Sequence, residues 1–312
     1  MSEKSSTFVA EIKISSYMKR FISCAILATL LSLPIMADSY RDALSKYMQT
    51  GNVIDKTQYE QLLLPLAGQV FGENADQGAA ILAEYFSDQM LDDLTDMFLP
   101  AFRNHMSEAE LKRLGTLLSD PRYAAIQQRA SSVLNTLTQS PEFQTFTNDY
   151  QLALMQIMQG QTPQDMPLPA SISKDYHQAF LQYYRSSKAE DIIMGSFRSM
   201  TEMLTQALRQ SGTPNPEQVM EQMVEYTRRN IPSVMLSCSH NVLTVEDLQA
   251  LNTIAATTEY QHAMDAVAEI AVDPIQMTLA LLTRMSDWLY LHFPQYAAPF
   301  QESLNLMKMN LN

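Results

Sequence analysis

The chain spells nearly the same text twice. Tyr40-Arg-Asp-Ala-Leu-Ser-Lys-Tyr47 returns 136 residues later as Tyr176-His-Gln-Ala-Phe-Leu-Gln-Tyr183. Ser107-Glu-Ala-Glu-Leu-Lys-Arg-Leu114 returns 137 residues later as Thr244-Val-Glu-Asp-Leu-Gln-Ala-Leu251. Two separate blocks at nearly one offset predict a duplicated structural unit. That constrains fold strongly, because whatever one half builds the other must build too. It says nothing by itself about chemistry.

What the unit is made of follows from its helix starts. Ser107-x-x-Glu110 and Thr244-x-x-Asp247 are capping boxes, in which a hydroxyl and a carboxylate satisfy free N–H groups at a helix N-terminus. Asp120-Pro121, Ser140-Pro141, Asn215-Pro216 and Asp273-Pro274 each set a capping side chain before a proline. Proline is tolerated at the first helical position, where its missing N–H would have been unpaired anyway. Leu111, Leu114, Leu117 and Leu118 recur at helical spacing after the first box, and Leu248, Leu251, Ile254 and Ala255 after the second. No segment alternates as a strand would, and the chain has only 8 Gly. The fold class is therefore all-α, two tandem helical-bundle repeats.

Expected helices in the first copy are 39–50, 56–71, 76–97, 107–118, 121–138 and 142–158. In the second they are 173–186, 190–211, 216–236, 244–256, 259–270, 274–291 and 294–310. Between the copies, Pro163, Pro167 and Pro169 cannot continue a helix. This places repeat 1 at 38–158, a Pro-rich linker at 159–173 and repeat 2 at 174–312, with the linker an extended, semi-rigid spacer.

The N-terminus reads as an address. Lys19 and Arg20 precede an uncharged apolar run from Phe21 to Ala37, the pattern of a secretory signal peptide. Residues 1–37 are the expected signal region, with cleavage near Ala37 and Met18 the expected true start. A membrane anchor is the rival, but the run is short for a span and is interrupted by Ser32 and Pro34. The chain is expected in the periplasm, with peripheral or no membrane association. Removing 1–37 takes four basic and two acidic residues, leaving 17 against 32. An excess of negative charge disfavours nucleic acid and anionic lipid as partners. One cysteine, Cys238, remains, so no disulfide within the chain supports the exported protein. Its expected role is a small buried apolar residue.

The segment Met90-Leu-Asp-Asp-Leu-Thr-Asp-Met-Phe-Leu-Pro-Ala-Phe, followed by Met106-Ser-Glu-Ala-Glu-Leu-Lys-Arg-Leu-Gly-Thr-Leu-Leu-Ser-Asp-Pro121, resembles a bacterial family known as domain of unknown function 2059. Its members are exported, helical and acidic to neutral. Ser107, Glu110 and Leu111 match the family's helix start, and Pro121 matches its step into the next helix. In the second copy Thr244, Asp247 and Leu248 match, but Thr258 replaces the proline. Members usually carry a glycine shortly after that proline, where this chain has Tyr123 and Tyr260. The resemblance implies two tandem copies and carries over no catalytic residue.

Few constellations point to chemistry. Asp92, Asp93 and Asp96 spell Asp-Asp-x-x-Asp, a spacing that puts carboxylates on one helix face and that isoprenoid synthases use to hold Mg²⁺ against diphosphate. A second aspartate-rich motif and the basic residues that would grip diphosphate are missing, so the solvated acidic face competes with the metal reading. Methionine is abundant, 21 in the chain, with Met155/Met158, Met200/Met203 and Met220/Met223 at helical spacing. Thioethers suit Cu(I), but they also fill irregular cores or line adaptable grooves for apolar partners. His105, His177, His240, His262 and His292 form no ligand pair at helical spacing. Cys238-Ser-His240 is a weak two-ligand hint. Tyr183-Tyr184 and the run from Trp288 through Tyr290 and Phe293 to Tyr296 read as core, with partner anchoring as the alternative. The expected function is a non-enzymatic binding or structural module of the bacterial cell envelope, taking an envelope protein or an apolar ligand and no cofactor. The alternative is a metal-dependent enzyme using Asp92, Asp93 and Asp96.

Overall fold

A computed structural model describes residues 40–49, 60, 63–64, 67–68, 70–137, 141–168 and 171–311. The signal region and most of the expected helix 56–71 lie outside the described residues, as do the side chains of Met200 and Met203. The architecture is all-α. Its helices are α1 (Tyr40–Gln49), α2 (Ala75–Asp88), α3 (Met90–His105), α4 (Glu108–Leu118), α5 (Pro121–Leu137), α6 (Pro141–Met158) and α7 (Lys174–Ser186). They continue as α8 (Ala189–Gln210), α9 (Pro216–His240), α10 (Val245–Ala255), α11 (Thr258–Ala271), α12 (Pro274–His292) and α13 (Pro294–Leu311).

Both capping boxes form. Glu110 N–H bonds Ser107 Oγ at 3.3 Å while Ser107 N–H bonds the Glu110 carboxylate at 2.8 Å. Asp247 N–H bonds Thr244 Oγ1 at 3.1 Å and Thr244 N–H bonds the Asp247 carboxylate at 3.0 Å. One expected helix, 76–97, is instead two. Gln89 (φ −119°, ψ −33°) departs from helical φ, yet its N–H still bonds Tyr85 C=O. The second piece then runs through Pro100 to His105. Pro100 removes the N–H that would have met the Asp96 carbonyl, a local loss that leaves the rest of the turn intact. Helix α9 likewise passes Pro232 and ends at His240, four residues beyond the expected 236.

The described residues divide into two compact units. Leu117–Pro274 forms one; the described parts of Ser32–Thr116 and Ile275–Asn312 form the other. The divisions between these units fall near residues 117 and 275, and the Pro-rich segment 159–173 lies within the unit of 117–274. That segment is indeed non-helical over 161–168, where its prolines forbid a helix. It is nonetheless strapped to α9. Met166 N–H donates to the Asn230 side-chain oxygen at 2.6 Å, and Arg229 pairs with Asp165 at 3.0 Å. Gly160, at φ +75°, ends α6 in the left-handed region that favours glycine.

Each unit buries aromatic side chains from several helices. In the unit of 117–274, Tyr150 meets Phe197 at 6.4 Å and Tyr226 at 6.3 Å, joining α6, α8 and α9. Helix α7 lays Tyr176, Ala179, Phe180 and Tyr184 inward, and α10 answers with Leu248, Leu251 and Ile254. Asn252 of α10 donates to the Ala179 carbonyl at 3.0 Å. In the other unit Tyr47 meets Phe102 edge-on at 5.4 Å, and Tyr85 meets Trp288 at 5.5 Å. Phe71 packs on Tyr296 at 5.3 Å.

Gly78 of α2 lies directly beneath the Phe71 ring, so an added Cβ would overlap ring carbons. Phe71 is itself buried against Tyr296 and has little room to retreat. Gly78→Ala is expected to destabilise the protein by about 1–3 kcal/mol through overpacking, although alanine favours helix. Circular dichroism melts should register the loss, and Phe71→Leu in the same chain should recover part of it.

Candidate functional site

The aspartate triplet is the first place to look for chemistry. Asp92 and Asp96, one turn apart on α3, both face Arg41 of α1. The guanidinium donates to Asp96 at 2.7 Å and reaches Asp92 at 3.4 Å. Asp93 faces elsewhere. It accepts from Tyr85 Oη at 2.6 Å and pairs with Arg284 of α12 at 3.1 Å. The three carboxylates thus split between two arginines and do not converge. Among the described residues no group of three or more His, Cys, Asp or Glu side chains could hold a metal ion. The hydrogen bond from Arg41 holds the Asp96 carboxyl below its ordinary 3.8, and the same bond raises Arg41. Burial, and then the bond to Asp93, pushes the Tyr85 phenol upward.

The two capping boxes sit beside similar contacts. Arg103, near the end of α3, lies over the Tyr40 ring with its guanidinium carbon 5.5 Å from the centroid. His240, the end of α9, meets the Tyr176 ring at 4.9 Å. Tyr40 and Tyr176 are 136 residues apart, Arg103 and His240 are 137. Tyr40 Oη donates to the Met106 carbonyl just before the first box at 3.3 Å, and burial pushes its phenol up to about 12. Tyr176 differs: its hydroxyl is buried with no hydrogen-bond partner among the described residues. Burial, then the nearby Asp247 carboxylate, raises that phenol too. Asp247 also accepts from Arg129 of α5 at 2.6 Å. Sequence spacing found the boxes but not these tertiary partners, since nothing in the text marks Arg103, His240 or Arg129 as the residues that stand beside them.

Of the other expected candidates, Cys238 is a buried thiol, and Met220 and Met223 are core residues at 3% and 0% exposure. Met155 is exposed beside Leu152 on α6. Trp288 is half-buried within ring contacts to Tyr85, His292 and Phe293, while Tyr290 and Leu291 project into solvent at 72% and 77% exposure. Among the described residues no single helix is long and apolar enough to cross a membrane. An open groove of about 670 Å³ runs along the outer face of α7, lined by Lys174, His177, Gln178, Leu181, Gln182 and Arg185. Comparison with family models, with curated proteins and with solved structures found no match to this chain.

Asp96→Asn tests the reading of the triplet as a structural ion pair. Because the folded carboxyl titrates below its ordinary value, the pair stabilises the fold above that value and loses the contribution as pH falls through the folded pKa. Both partners are substantially exposed, so the effect should be small, about 0.2–1 kcal/mol at neutral pH. Melting curves of wild type and Asp96→Asn should differ at neutral pH and converge in acid.

Proposed function

We propose that the chain is a non-enzymatic helical binding or structural module of the bacterial cell envelope. In this reading it is exported by a cleaved signal peptide over residues 1–37 and built from two tandem copies of the unit that the family of domain of unknown function 2059 carries. The observation that carries the reading is the fate of Asp92, Asp93 and Asp96. These are the residues most suggestive of catalysis, and each is engaged by a guanidinium from another helix of its own unit. A metal would have to displace those arginines from carboxylates they already neutralise.

The duplication is supported by the recurrence of one contact. A basic or imidazole side chain stands against a tyrosine ring beside a capping box, at Tyr40–Arg103 and at Tyr176–His240. A binding role is supported by exposed apolar side chains such as Tyr290 and Leu291 and by the open groove on α7.

Crosslinking in the native cell followed by mass spectrometry is the test. A reproducible envelope-protein partner, recovered on a chain beginning just after Ala37, is the expected result. Absence of any specific crosslink would count against the module. So would a Mg²⁺-dependent rise in melting temperature that Asp96→Ala abolishes, because mass action would then place the ion on the folded state.

A further inference from the structure

We propose that the outer face of α7 docks an acidic peptide segment of a partner protein. The proposal rests on the binding-module reading and names the chemistry of its partner. Helix α7 buries Tyr176, Ala179, Phe180 and Tyr184 and turns Lys174, Gln178, Gln182 and Arg185 to solvent along the groove. The lining positions follow steps of three and four, so they form one continuous stripe. No carboxylate lines the groove. Lys174 and Arg185 carry no ion pair among the described residues, whereas Arg41, Arg129, Arg209, Arg229 and Arg284 each lie against a carboxylate. On a chain of net charge −13, two cations against the single carboxylate of Asp175 leave the outer face of this helix with an excess of positive charge.

Spacing selects the occupant. Eleven residues of helix separate Lys174 from Arg185 by ~16 Å. A small anion requires donors that converge on it, and these do not. An extended peptide rises about 3.3 Å per residue, so a segment of roughly five residues with carboxylates at its ends would reach both cations. Gln178 and Gln182 lie between them and can donate to and accept from such a backbone. Leu181, half-exposed, gives an apolar contact at the centre. Asp175, the one carboxylate of α7, adjoins Lys174 and weakens attraction at that end. The Arg185 end should therefore dominate.

The experiment uses the full chain and two fluorescein-labelled 16-residue peptides, one of alternating Glu and Ala, the other of alternating Lys and Ala. Fluorescence anisotropy at low salt should show binding of the Glu peptide only. Raising the ionic strength to about 0.3 M should weaken it, because exposed charges are screened. Arg185→Glu should weaken it by about tenfold or more and Lys174→Glu by less, about 1.4 kcal/mol being tenfold. Both side chains are exposed, so circular dichroism of the variants should match wild type. The groove assignment is overturned if the Glu peptide fails to bind, if Arg185→Glu binds it as well as wild type does, or if both peptides bind alike. It is also overturned if phosphatidylglycerol vesicles, and not the Glu peptide, bind in an Arg185-dependent way. Any of these leaves the module itself to the crosslinking test, so the two failures are distinguishable.

Discussion

Helices of 10 to 25 residues do not hold themselves together in water, because the nucleation cost exceeds what so few hydrogen bonds return. The structure depends on burying one face of each helix against a neighbour, and tyrosine and phenylalanine supply much of that face. Tyr47, Tyr85, Tyr226, Phe102 and Phe146 are among the largest fully buried side chains. Burial of a tyrosine brings a hydroxyl with it, and the hydroxyl must find a partner or go without. Tyr40 and Tyr85 find one, in the Met106 carbonyl and the Asp93 carboxylate. Tyr176 and Tyr184 on α7 find none among the described residues, and the packing of α7 on α10 is carried by apolar area.

Charge follows from the same arrangement. With acids well in excess, several of the described arginines are drawn into bridges between helices: Arg41 from α1 to α3, Arg284 from α12 to α3, Arg129 from α5 to α10. These bridges are partly exposed and individually weak. Their effect is on which helix meets which, since a guanidinium moved to the wrong neighbour would leave a half-buried carboxylate unpaired. On the outer face of α7, Lys174 and Arg185 have no such bridge among the described residues.

Much of the fold was legible in the text because helix ends are written locally. A proline after Asp120, Ser140, Asn215 or Asp273 fixes a start within a residue or so, and the two boxes did the same for α4 and α10. Where no local signal existed, the reading was coarser. Gln89 is no helix breaker, so the division of α2 from α3 could not be read from composition. Pro100 and Pro232 lie inside helices because a single lost hydrogen bond is tolerated when the flanking turns pack well. The grouping of helices into compact units was also hidden. It depends on contacts such as Trp288 on Tyr85 that join residues about two hundred positions apart, and periodicity carries no information about partners. The aspartate triplet was visible as a motif. Its division between Arg41 and Arg284 was not.

The proposed duplication holds that one recurring text builds one recurring contact. Double-mutant cycles on Tyr40–Arg103 and on Tyr176–His240, read from chemical unfolding, put that to the test. The proposal predicts favourable coupling in both pairs, about 0.5–1 kcal/mol each, from a cation over the ring in the first and edge-to-face rings in the second. Coupling in one pair and none in the other would mean that the two stretches of similar text do different structural work.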